Sequence, residues 1–218
     1  MDENVLAAMA RWPAVPDVYG WLSLSERGQW RLHPNGDALS GHNQPGESIT
    51  SPQILQFINR NYAGDDLGRW FFQNGPQRVF VRLDGAPYIL HTTSAAPCLQ
   101  THNGLSVNNI HGWYLDDAGK LYAQTEHGPG QIDGRDLMAV LDVLYTDQNE
   151  NLITLLERDP APHKTFIRTN VNKISSSRSA PQANLVLLKC CNAAKIPCAM
   201  GFVRYPLQNF VTLGNPVE

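Results

Sequence analysis

The sequence predicts an α+β fold: two tandem, related hairpin–helix–hairpin units with antiparallel sheets, followed by a C-terminal helix and strand. Three observations carry that prediction. Short alternations such as Arg78-Val79-Phe80-Val81-Arg82-Leu83 recur, and a period of two marks a strand with one dry face. Turn residues punctuate them, as in Asn74-Gly75-Pro76, Asp84-Gly85 and Asp116-Asp117-Ala118-Gly119. The element order then repeats. From Ile49 and Ile132 onward, helix face, helix end and strand start coincide at one offset of 83 residues.

The elements follow in order. Asn4 to Arg11 is a short helix with Val5, Leu6 and Met9 on one side, ended by Pro13 and Pro16. Val18 to Leu24 is a strand, Ser25-Glu26-Arg27-Gly28 turns the chain, and Gln29 to His33 returns. Residues 34–47 are a loop rich in Gly, Pro, Asn and Ser. Thr50 or Ser51 caps the next helix, Pro52 suits its first turn, and Ile54, Leu55, Phe57 and Ile58 supply its apolar face as far as Tyr62. Trp70-Phe71-Phe72, Arg78 to Leu83 and Pro87-Tyr88-Ile89-Leu90 are expected to form an antiparallel meander.

The second unit echoes the first. Gly112-Trp113 repeats Gly20-Trp21. Leu137, Met138, Val140 and Leu141 match the helix face, and Tyr145 matches Tyr62. Ile153 and Leu155 match the strand positions Trp70 and Phe72. Thr165-Phe166-Ile167-Arg168 is a last strand, and Ser175 to Ser179 a linker. Ala183 to Ala194 is expected as a packed helix and Ala199 to Tyr205 as a strand. The units span residues 1–100 and 105–172, with residues 173–218 forming the linker and tail.

The runs Tyr19-Gly20-Trp21-Leu22, Gly28-Gln29-Trp30, Phe57-Ile58-Asn59-Arg60-Asn61-Tyr62 and Gly68 to Val79 resemble an uncharacterised family of proteobacterial proteins of unknown function. Gly28, Trp30, Ile49, Leu55, Gly68, Arg78 to Val81 and Ala86-Pro87-Tyr88 are also similar to a second uncharacterised bacterial family of two-part α+β build. Both resemblances imply architecture and no activity.

Composition narrows the function classes. A net charge of -3 argues against a nucleic-acid binder, which would carry a basic stripe. Met1-Asp2-Glu3-Asn4 lacks the start of a signal peptide, and Leu185 to Val203 is broken by Lys189, Asn192, Lys195 and Pro197. The expectation is a cytoplasmic protein away from the membrane. Cys98, Cys190, Cys191 and Cys198 read as reduced, buried structural thiols without zinc spacing, so no metal or cofactor is expected.

No catalytic motif stands out. The expected function is a non-catalytic accessory protein that binds a small anionic ligand or a protein partner. Its candidate site is Arg69, Trp70, Gln73, Asn74 and Arg78, with Arg60 beside them. Guanidinium groups suit carboxylate or phosphate, and an aromatic ring adds a stacking wall. The plainer reading makes Trp70 and Phe72 core and Arg69 and Arg78 solvated strand charges. Two alternatives stay open. One is a hydrolase using Cys98 with His102 or His111, or an Asp pair at Asp65-Asp66 or Asp116-Asp117. The other is an interaction module, including a homodimer, pairing through a sheet edge or the tail helix.

Overall fold

In a computed structural model that describes residues 1–40, 45–93, 96–163, 165–168 and 185–207, the chain builds two sheets. The helix α1 (Glu3–Arg11) precedes them. The first sheet contains β1 (Val18–Leu24), β2 (Trp30–Leu32), β3 (Glu47–Ser48), β4 (Tyr62–Gly64), β5 (Trp70–Asn74) and β6 (Gln77–Leu83), in the order β3-β2-β1-β6-β5-β4. The helix α2 (Pro52–Arg60) joins β3 to β4. Ser51 is its N-cap residue, and Pro52 pre-sets the first turn.

The second sheet holds β7 (Tyr88–Thr93), β8 (Ala96–Thr101), β9 (Ile110–Asp116), β10 (Leu121–Thr125), β11 (Gly128–Ile132), β12 (Tyr145–Thr146), β13 (Thr165–Arg168) and β14 (Leu185–Cys191). Its order is β12-β13-β14-β9-β10-β11-β7-β8. Without the β7–β8 hairpin, this is the order of the first sheet. β9 runs parallel to β14 as β1 does to β6, and the flanking pairs are antiparallel in both. The helix α3 (Leu137–Asp142) stands where α2 does, and α4 (Leu152–Arg158) separates β12 from β13.

One hairpin loop recurs five times, starting at Ser25, Asp65, Thr101, Asp116 and Thr146. In each, the first residue's carbonyl accepts the amide of the residue three on. Its side-chain oxygen accepts the amide of the residue four on. The fourth residue has positive φ: Gly28, Gly68, Gly104, Gly119 and Asn149. This is a turn closed by a left-handed residue, which glycine or asparagine adopts with least strain.

The α+β class holds, and several local expectations change. The sheets are mixed, because the crossover through each helix brings β6 back beside β1, and β14 beside β9, in parallel. β7 is not the third strand of a meander. β1 already occupies the edge of β6 that β7 would need, so the chain leaves for the second sheet, where β7 pairs with β11. The expected first unit, residues 1–100, therefore spans strands of both sheets. Ile153 and Leu155 lie in α4, not in a strand, because Asn151 caps a helix by accepting the Ile153 amide.

The tail elements are reversed. Leu185–Cys191 is a strand, held between β9 and β13, with Leu188 in the core and Leu185 and Lys189 exposed. The helix α5 (Ile196–Met200) follows, started by Pro197 and stopped by Gly201. Gly128-Pro129-Gly130 opens β11. Ser175 to Ser179 lies outside the described residues.

One apolar core serves both sheets. Its seam is aromatic. The Tyr62 ring lies 5.0 Å from Trp30, 5.0 Å from Trp70 and 6.0 Å from Tyr88, and its hydroxyl donates to the Pro87 carbonyl at 3.0 Å. Trp70 fits flat because Gly64 and Gly128 face it, where a Cβ would stand 3.0 Å and 3.2 Å from the indole. Trp70→Ala should cost ~3–5 kcal/mol, read as a lower denaturant midpoint. A loss below ~1 kcal/mol would mean that the seam does not hold the sheets together.

Candidate functional site

The six residues expected to form an anion site do not converge. Alternation on β5 puts Trp70 and Phe72 on the core side and Phe71 and Gln73 on the other. Arg69 is bound to Asp65, with Nη2 2.7 Å from Oδ2, and its guanidinium covers the Phe80 ring at 4.5 Å. Arg78 covers Phe71 at 4.7 Å and pairs across the ladder with Gln73. Gln73 is buried and donates to the Gly75 carbonyl. Arg60 closes α2 and holds Asp2 of the N-terminal segment at 3.0 Å. Asn74 lines the groove beside α2.

That cavity is an apolar groove of about 550 Å³ between α2 and the first sheet. Ile54 and Ile58 come from α2, Trp21 and Leu22 from β1, and Phe72 and Val79 from β5 and β6, with Asn74 and Gln77 as the polar lining. Three of its apolar walls are open to solvent: Trp21 at 45 %, Leu32 at 41 % and Ile54 at 51 %. A bulge aims Trp21 there. Val18 pairs with Val79 and Leu22 with Val81, so four steps of β1 oppose two of β6. Gly20 makes the bend at φ +83°, with the Gly36 carbonyl oxygen 2.2 Å from where a Cβ would sit. Its apparent counterpart Trp113 is fully buried. It pairs with Leu188 across the parallel ladder, as Leu22 pairs with Val81. Tyr145, matched to the buried Tyr62, is likewise exposed.

A constellation that the sequence did not reveal lies on the opposite side of the first sheet. Ser23 Oγ is 2.8 Å from His33 Nε2, and His33 Nδ1 is 3.5 Å from Asp37 Oδ1. The residue types are those of a nucleophile, base and orienting acid. Yet Ser23 and His33 are buried, and neither lines the groove beside α2. Burial and the nearby Arg82 guanidinium hold the imidazole below its ordinary range, which keeps it neutral. Arg82 Nη1 donates to the Ala38 carbonyl at 2.8 Å. The group latches the loop after β2 to the sheet.

The hydrolase candidates are also occupied. Asp65 Oδ1 accepts the Leu67 and Arg69 amides, and Asp116 Oδ1 those of Ala118 and Lys120, as turn carboxylates do. His102 Nδ1 faces the Ile89 amide at 3.3 Å, and the ring lies among Trp30, Tyr62 and Tyr88. Burial, helped by His91, pushes its imidazole down to about 3. The four cysteines are free. Cys98, Cys190 and Cys191 are half-buried and Cys198 is exposed, rather than fully buried as expected. Among the described residues no group of three His, Cys, Asp or Glu gathers as a metal site, and no helix is long and apolar enough to cross a membrane.

Residues 1–207 match the family model DUF2944, described as "Protein of unknown function (DUF2946)". No curated protein matches. A crystal structure of a DUF1285 family protein from Silicibacter pomeroyi DSS-3 is similar at 17% identity and a TM-score of 0.42, over 59% of this chain and 70% of that one. A second, a DUF1285 family protein from Shewanella baltica OS155, is similar at 16% identity and 0.40, over 55% and 89%.

His102 makes stability depend on acid. The unfolded chain takes up a proton near the ordinary value of 6.5, whereas the folded chain resists to about 3. The contribution is therefore whole above pH 6.5 and is lost as pH falls toward 3, at up to ~1.4 kcal/mol per pH unit. His102→Asn, which keeps an acceptor for the Ile89 amide, should flatten that slope in denaturant titrations. An unchanged slope would remove His102 as its source.

Proposed function

The chain belongs to the DUF2944 family of proteins of unknown function, which supplies no activity, and we propose that it is a non-catalytic binding protein whose binding surface is the groove beside α2. The observation that carries this reading is the solvent exposure of Trp21, Leu32 and Ile54 around one apolar concavity. Large side chains left in water around a groove are the usual mark of a surface that another molecule covers. The groove has apolar walls and two neutral amides, so it takes an apolar ligand or partner face rather than an anion.

Two further points belong to the same reading. The shared strand order is that of two copies of one unit, of which the first keeps the groove open. Four free thiols suit a reducing compartment, so we place the protein in the bacterial cytoplasm.

A titration with the uncharged dye N-phenyl-1-naphthylamine tests the groove. The folded protein should bind the dye saturably, with emission rising as it leaves water. Ile54→Asp should weaken binding at least ~10-fold, about 1.4 kcal/mol. That position is half exposed, so the variant should keep the wild-type circular dichroism and melting curve. Absence of saturable binding, or equal binding by the variant, would reject the groove.

A further inference from the structure

The two halves share a strand order, and one difference between them is the step that leads into β5 and into β13. In the first half, β4 passes through the turn Asp65–Arg69 directly into β5. In the second, the step from β12 to β13 carries α4. That helix packs on α3, sinks Leu152 and Leu155 into the core, and rests Ile153 and Leu156 partly against it. α3 holds the place of α2, and the groove walls Ile54 and Ile58 recur as Leu137 and Leu141 at the same 83-residue offset. Beside α3 lies a helix; beside α2 lies the open groove.

We propose that this groove docks a short amphipathic helix of a partner protein, which presents leucine-type side chains at i and i+3 as α4 presents Leu152 and Leu155. The proposal rests on the groove being the binding surface. The second half shows what covers a helix of this kind when the chain supplies the cover itself. Seven residues of α4 rise ~10 Å, two turns, so the partner segment is short. Its lining amides, Asn74 and Gln77, and the exposed Gln53 and Gln56 on α2 are uncharged. Recognition is therefore by apolar burial and should vary little with salt.

The probe is a labelled peptide of this chain's own residues 149–160, stapled on its polar face because so short a helix does not hold in water. Fluorescence anisotropy with the full-length protein should show saturable binding that changes little from ~0.05 to ~0.5 M salt. Binding should weaken at least ~10-fold for a peptide carrying Leu152→Asp and Leu155→Asp, and as much for the Ile54→Asp protein. If the dye occupies the groove and the peptide does not, the helix is the wrong occupant and the binding surface stands. If neither binds, both fall. Equal binding by either variant would place the peptide elsewhere and overturn the proposal. So would light scattering showing a dimer that Ile54→Asp dissolves, since the occupant would then be a second copy.

Discussion

Tyr62 stands where the two sheets meet, and the rest of the structure depends on how it is satisfied there. Its ring touches Trp30 and Trp70 from the first sheet and Tyr88 from the second, while its hydroxyl finds the Pro87 carbonyl. A buried phenol without a partner would forfeit about 1–3 kcal/mol of what its ring contributes, and this hydrogen bond avoids that loss. Desolvation raises the Tyr62 phenol far above its usual range and lowers the His102 imidazole beside it. Both stay neutral in the buried seam.

Much of the first half was legible because its signals are local. Pro52 starts α2, Asn74 and Gly75 turn β5 into β6, and the alternation from Arg78 onward marks β6. The apolar run at Leu185 was not legible. It has no period, and only its neighbours β9 and β13 decide that it is a strand. The departure of β7 to the second sheet had no local sign either, since it follows from a parallel pairing between residues some sixty positions apart.

The candidate site divides in the same way. Alternation along β5 was already sufficient to part Trp70 from Arg69 and Gln73, so the six chosen residues could never have shared one face. The groove was harder to see. Its one hint was Gly20 inside a strand pattern, where glycine commonly marks a bulge. That bulge turns Trp21 outward, whereas the same dipeptide ninety-two residues on buries Trp113. The repeated dipeptide is thus out of step by one ladder position, because Trp113 holds the place that Leu22 takes in the first sheet.

Residues 203 and 204 are tied to the first sheet. The Val203 amide donates to the Gly68 carbonyl, and the Leu83 amide to the Arg204 carbonyl. A chain made from its N-terminus exposes β5 and β6 long before residues 203 and 204 exist. The sheet synthesised first therefore keeps these backbone groups open to water until residues 203 and 204 emerge. The first sheet is completed by residues more than a hundred positions downstream, so a change at residues 203 and 204 would be felt at Gly68 and Leu83.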